Sequence, residues 1–235
     1  MRFLRRWSRH RRAKLSHNNA LGRLAAVEFA PRVVYDIGAY RGAWSKAACE
    51  ILPSAEFFLF EANADNESYL AGTGYQYFIG ALSGENASEK SLFLPQAGDS
   101  TGTSLYVENT THYASGNLQV RTVPTQRLDT VISANRLPPP DLLKIDVQGS
   151  ELDVMEGATN ALADASALIL ETSFVTYNRG APLIADVIAA VDRFGLKCVD
   201  VCELHRSSRG VALQIDLLFV RDELFEKLCF KACQL

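Results

Sequence analysis

Two hydrophobic periods alternate along the chain. Short runs that are apolar on both faces (Val33-Val34-Tyr35, Phe57-Phe58-Leu59-Phe60 and Leu142-Leu143-Lys144-Ile145) have the composition of fully buried strands. Residues 75–79, 118–123, 167–170, 196–201 and 213–220 add further strand candidates. Between them lie stretches with helical spacing over 43–52, 65–70, 127–134, 151–162, 182–194 and 222–229. Upstream, Leu21, Leu24, Ala25 and Phe29 place a leading helix within 15–30, stopped by Pro31, as Pro53 stops the next one. Buried strands separated by helices predict an α/β fold, a mostly parallel sheet covered on both faces.

One region breaks the alternation. Residues 84–117 are dominated by Gly, Ser, Thr and Asn around a small apolar island, Leu92-Phe93-Leu94. A polar insert of this length in a compact domain is expected to be functional or mobile. Ser100, Thr101, Thr103, Ser104, Tyr106 and Asn109 suit a substrate lid over a polyol. The expected organisation is a basic tail and leading helix over 1–30, then a single domain over 31–235 that carries this insert.

Charge changes the picture at one end only. The chain of 235 residues has 24 Lys+Arg against 27 Asp+Glu, and 48% of its residues are hydrophobic. That is enough for a real core and excludes a disordered or disulfide-stapled chain. Seven of the basic residues (Arg2, Arg5, Arg6, Arg9, Arg11, Arg12 and Lys14) precede Glu28, the first acid, leaving 17 basic residues against all 27 acids. An acidic body of this kind lacks the clustered positive charge that nucleic acid requires. The basic head suits either a solvated tail or contact with an anionic membrane surface. It has no apolar core of a secretory signal behind it, and a cytoplasmic location is expected. Five cysteines suit a reducing compartment. Cys198 and Cys202, and Cys229 and Cys233, are four apart, but the first pair lies in a strand-like run. Buried apolar thiols are expected there, and no metal is assigned.

Four of the buried strands end in acids: Asp36, Glu61, Asp146 and Glu171. Ligands of open α/β sheets bind beyond the carboxyl ends of the strands, so an acidic rim is expected there. The first turn, Asp36-Ile37-Gly38-Ala39-Tyr40-Arg41-Gly42, is not GxGxxG, although Gly38 and Gly42 permit a tight turn. A dinucleotide sets its pyrophosphate at this helix start, where a carboxylate repels it. S-adenosyl-L-methionine has no phosphate and carries an ammonium and a sulfonium. An acid at position 36 suits that cation, and Glu61 suits the two hydroxyls of its ribose.

These same residues resemble a known family. The first turn, Phe60-Glu61-Ala62-Asn63, Ala81-Leu82-Ser83 and Leu143-Lys144-Ile145-Asp146-Val147-Gln148-Gly149-Ser150-Glu151 resemble the successive motifs of FkbM-type methyltransferases. Met155-Glu156-Gly157-Ala158, Leu170-Glu171 and Asp216-Leu217-Leu218-Phe219-Val220 continue the likeness, which runs from about residue 33 to 221. This chain has Tyr40 where the family usually has Asn, Ala62 in place of Pro and Gln148 in place of Glu. The resemblance implies a class I methyltransferase fold, a Rossmann-like seven-stranded sheet with an antiparallel last strand. It also implies S-adenosyl-L-methionine as donor and usually O-methylation. Carried over, Asp36, Gly38 and Ala39, with Gly42, cradle the donor's methionine part. Glu61 and the adjacent Ala62 meet the ribose, Ala81, Leu82 and Ser83 line the adenine, and Asp146 lies near the methyl group.

A hydroxyl is a poor nucleophile, so a general base is expected. Asp146 and Glu171 are the candidates best placed for it. His205 sits in a polar segment, and His112 could serve if the insert folds over the site. Asp146, Glu171 and Asp216 could converge on a divalent metal, which spacing does not establish. The expected activity is methyl transfer to a hydroxyl of a small-molecule or carbohydrate acceptor. Its rivals are a nicotinamide-dependent oxidoreductase on a similar sheet and a cofactor-binding module without turnover.

Overall fold

The computed structural model describes residues 14–95, 102–109 and 118–233. The expected basic head, apart from Lys14, and His112, Ser100 and Thr101 lie outside them. Seven strands form the main sheet: β1 (Val33–Ile37), β2 (Glu56–Glu61), β3 (Gln76–Ile79), β7 (Leu142–Ile145), β8 (Ala167–Ser173), β9 (Lys197–Arg206) and β10 (Ala212–Val220). Their order is β3-β2-β1-β7-β8-β10-β9. The pairings from β3 through β8 are parallel, and β10 runs antiparallel to both β8 and β9. This is the class I methyltransferase sheet, mostly parallel with helices on both faces.

Strand alternation builds a core on each face. Tyr35, Ile37, Phe58 and Phe60 point to one side, against α4 (Leu128–Asn135), α5 (Glu151–Gly157), α6 (Thr159–Asp164) and α7 (Ile184–Asp192). Val34, Leu59, Leu142 and Leu218 point to the other, where α1 (His17–Ala26), α2 (Ala43–Cys49) and α8 (Asp222–Cys233) cover them. Ser16 caps α1 by accepting the Asn19 N–H, and Leu21 and Leu24 are its fully buried stripe. A short 3-10 turn and α3 (Glu67–Ala71) join β2 to β3. Cys202 packs inside this second core, whereas Cys198 of the same strand is exposed.

Three sequence expectations are corrected. First, the polar insert is not one long loop. β5 (Glu89–Pro95) pairs antiparallel with β6 (Leu118–Gln126), which runs parallel to β4 (Ala81–Leu82). Leu92 and Leu94 of the apolar island turn inward from this small sheet and are buried. The partner of β5 is the strand expected at 118–123, more than twenty residues away, so the island's own surroundings did not show the pairing.

Second, the helix expected over 151–162 is two helices. Ala158 leaves helical geometry (φ −117°, ψ 28°), and the Asp129 carboxylate accepts the N–H groups of Asn160 and Ala161 at the start of α6. A carboxylate at a helix start satisfies donors that have no intrahelical partner and favours the dipole. Third, β8 and β9 run several residues past the expected ends, because β10 pairs with Ser173 on one side and with Arg206 on the other.

Gly157 closes the gap between α5 and the small sheet. A Cβ there would sit 2.1 Å from the Ser83 carbonyl oxygen. Gly157→Ala is therefore expected to destabilise the fold by about 1–3 kcal/mol through backbone displacement. Urea unfolding checks this, read as a lower midpoint at an unchanged slope.

Candidate active site

The strand order reverses direction between β1 and β7, and a cavity of about 270 Å3 opens beyond the carboxyl ends of β1, β2 and β7. This is where open α/β sheets place their ligands. The first turn forms its floor. Gly38 and Ala39 donate their N–H groups to the Phe60 carbonyl, and Asp146 N donates to Ile37 O, so the turn is tied to both neighbouring strands. Gly38 has φ +77°, and a Cβ there would lie 1.8 Å from the Asp146 carbonyl oxygen; only glycine fits.

Glu61 closes β2 and lines the cavity. Its two carboxylate oxygens accept the N–H groups of Tyr40 (2.7 Å) and Asn63 (2.8 Å). Burial pushes its pKa up, and the two backbone donors pull against that shift. The carboxylate is thus held in one orientation with lone pairs left over for a ligand's hydroxyls.

Asp36 corrects the expected rim. It is fully buried and does not line the cavity. One oxygen accepts the Ser45 hydroxyl at 2.6 Å, and the other lies 3.2 Å from Lys144 Nζ. Lys144 in turn reaches Asp146 at 3.3 Å. Burial alone would lower the Lys144 pKa, but Asp146 and Asp36 outweigh it and hold the ammonium charged. The carboxylate of Asp36 is therefore turned onto Ser45 and the lysine beneath the turn rather than onto the cavity.

Asp146 lines the cavity, with a third of its side chain exposed. Burial pushes its pKa up, but the charge of Lys144 and the Gln148 hydrogen bond more than reverse this, so it is ionised below the usual carboxylate range. Gln148 has a left-handed backbone (φ 56°), and its side-chain amide bridges Asp146 (3.1 Å) and Glu171 (2.7 Å). Glu171 is buried behind that bridge. Burial, together with the charges of Asp146 and Asp216, raises its pKa well above the carboxylate range. Glu151, whose carboxylate accepts the N–H groups of Val147 and Gly149, is pushed up to about 7, mainly by burial.

The structure brings together most of the donor-site residues expected from sequence. Gly38, Ala39, Glu61 and Ala62 line the cavity on one side, Ala81 and Leu82 on another, and Asp146 on a third. Four expected residues stand outside its lining: Asp36, Gly42, which caps α2 with φ 77°, Ser83, which is buried with its N–H on the Gln126 carbonyl, and Glu171, which lies behind Gln148. Thr103, Ser104 and Leu105 of the insert reach the cavity wall. Some of the insert's polar groups are used on protein, however: Ser104 donates to the Gln148 carbonyl and Tyr106 to Asp153.

Sequence reading overlooked three residues. Lys144 carried its own signal, a lone cation inside an apolar strand run. Gln148 stood inside a recognised motif without a role. His17, the first residue of α1, lines the cavity 2.9 Å from Asp216, and nothing in the local pattern announces it.

A family model for the methyltransferase FkbM domain matches residues 36–198. The chain belongs to this family. The FkbM domain here is 30% identical over 150 residues to hexuronic acid methyltransferase AglP of Haloferax volcanii. That match covers 59% of this chain and 55% of AglP, so it spans about half the relative's length. Among solved structures, precorrin-6y C5,15-methyltransferase of Geobacter metallireducens is similar at 12% identity and a TM-score of 0.45, with 87% of each chain covered. Magnesium protoporphyrin IX methyltransferase of Synechocystis, solved with bound SAM, is similar at 13% identity and 0.45, covering 93% of this chain and 91% of that one. S-adenosyl-L-methionine is the methyl donor of the FkbM domain. The site fits it: the glycine turn allows close main-chain approach, Glu61 presents oriented acceptors, and Asp146 supplies negative charge at the cavity wall.

Lys144 holds two carboxylates at once. Lys144→Met is expected to cost about 3–5 kcal/mol, because Asp36 is left buried without its cation. Denaturant unfolding of the variant measures the loss.

Proposed function

We propose that this FkbM domain transfers a methyl group from S-adenosyl-L-methionine to a hydroxyl of a sugar-type acceptor. The observation that carries the reading is the pairing, within one cavity, of an oriented Glu61 with an ionised Asp146. Two carboxylates and a glycine turn suit a cationic adenosine ligand and oppose a pyrophosphate, which weighs against the nicotinamide alternative. The name of the Haloferax volcanii relative, a hexuronic acid methyltransferase, supports a carbohydrate acceptor.

Bound donor supplies a methyl carbon on a positively charged sulfur, ready for in-line displacement by an acceptor oxygen. The protein's part is positioning and proton acceptance. Glu61 and the Gly38 turn fix the adenosine end, and Asp146 sets a negative wall beside the reacting centre. Glu171 accepts the acceptor's proton as its oxygen attacks. Its raised pKa brings it nearer to neutrality, where a general base works best, whereas Lys144 makes Asp146 a weaker base. Gln148 holds the two apart in role by donating to both.

Calorimetry with S-adenosylhomocysteine tests the donor site. Binding is expected for the native chain, with a loss of roughly 10–100-fold in Glu61→Ala, since hydrogen bonds to a charged group contribute about 1.5–3 kcal/mol. Binding of NADH in the same cavity would overturn the reading.

Donor consumption with a panel of hydroxylated sugars and uronic acids tests turnover. Glu171→Gln is expected to lower kcat by about 10²–10⁴-fold. In the native enzyme kcat should fall as pH drops through the Glu171 pKa, because the protonated form cannot accept the proton. That acid limb should lie above the ordinary Glu value of about 4.3 and be absent from the residual activity of Glu171→Gln.

A further inference from the structure

Cross-strand register sets three acids in a row. Asp216 of β10 lies directly opposite Glu171 of β8 on one side and Glu203 of β9 on the other. Like charges facing across strands oppose folding unless something compensates them. Lys144 is engaged by Asp36 and Asp146, and Arg23 by Asp200. Among the described residues, Asp216 faces His17, with Nε2 at 2.9 Å from Oδ2, and Glu203 faces two imidazoles, His17 (Nδ1 to Oε2, 3.7 Å) and His205 (Nε2 to Oε1, 4.0 Å).

The contact is not a hydrogen bond. His17 Nε2 and Asp216 Oδ1 are both buried and make none, and Asp216 is only 5% exposed. Two unsatisfied buried groups side by side cost free energy that a shared ligand would recover. One donor atom each from His17, Glu203 and Asp216 lies within 4.8 Å of the others. An octahedral cation with bonds of about 2.1 Å spaces adjacent donors about 3 Å apart, which is the spacing of Nε2 and Oδ2.

We propose that His17, Glu203 and Asp216 bind one divalent cation of mixed nitrogen and oxygen preference, such as Mn2+. Glu171 and His205 form a second donor set around the same Asp216. The first set is the site because it alone of the two contains the unsatisfied His17 Nε2, and because His17 reaches the cavity wall. Three protein ligands leave open positions. Beside the cavity these would take oxygens of the acceptor and offset the acids at this end. That role rests on the proposed acceptor; the binding of the cation does not.

Equilibrium dialysis of the full chain against MnCl2 alone, with metal quantified by mass spectrometry, tests the site. One Mn2+ per chain is expected, with affinity at least ~10-fold weaker in His17→Ala, Asp216→Asn and Glu203→Gln, and within about twofold of native in His205→Ala. The exposed Glu203 and the partly exposed His17 keep the test readable should Asp216→Asn fail to fold. No stoichiometric binding up to about 1 mM, or equal binding in the His17 and Glu203 variants, overturns the proposal. So does loss in His205→Ala with retention in His17→Ala. S-adenosylhomocysteine calorimetry on the same native sample separates the two readings: Mn2+ bound without it would sink the methyl-transfer reading and leave the cation site standing.

Discussion

An ammonium group buried in a sheet must be paired on the spot, and Lys144 is paired on both sides. Asp36 of β1 and Asp146 just past β7 each lie within 3.3 Å of its nitrogen. Such a pair contributes little net stability, since desolvating the ions offsets most of their attraction, but losing one member leaves a bare charge in the core. The consequence here is geometric. Lys144 also lies 3.4 Å from the Gly38 carbonyl, so one cation holds the end of β1, the glycine turn and the first residue after β7 in register. The floor of the cavity depends on that triangle.

The same constraint explains how neighbouring carboxylates come to differ. Strand alternation puts Asp36, Glu61, Lys144, Glu171 and Asp216 on the face covered by α1 and α2, all toward the carboxyl end of the sheet. Lys144 is one cation for several acids. The nearest, Asp146, is held ionised, while Glu171, one strand further on and buried among other acids, is pushed toward holding its proton. Gln148 spans the two with an uncharged amide, donating to both without adding to the negative charge. Position relative to one lysine thus drives the pKa values of chemically similar side chains apart, the separation that the proposed acid–base roles require.

Much of this was legible in the residues. The buried runs, the acids at their ends and the turn at Gly38 are local patterns, and they located the sheet, the switch point and Glu61. Asp36 shows where local reading stops. Its position after an apolar run says that it ends a strand, but its orientation is set by Lys144, more than a hundred residues away. β5 was hidden for the same reason: its apolar island reads as part of a polar insert until the strand at 118–126, more than twenty residues on, pairs with it. The break at Ala158 depends on Asp129 of another helix. His17 is the extreme case: a single polar residue at a helix start, brought to the cavity because Leu21 and Leu24 pack α1 over the sheet face that ends in Asp216.

That placement bears on the acceptor. The donor side of the cavity is shaped by backbone and by two oriented carboxylates, which leaves it little freedom to vary. The far side is made of His17 of α1 and of Thr103, Ser104 and Leu105 of the insert, elements joined by packing rather than by parallel-strand ladders around the switch point. Behind His17 stand Asp216, Glu203 and Glu171, which gather negative charge at this end of the sheet, so an anionic acceptor of the kind proposed would need positive charge added there. A neutral polyol needs no such addition. On the proposed reading, a cation at the His17–Asp216–Glu203 corner is what would separate an anionic from a neutral sugar as acceptor, with the proton transfer assigned to Glu171 the same for either.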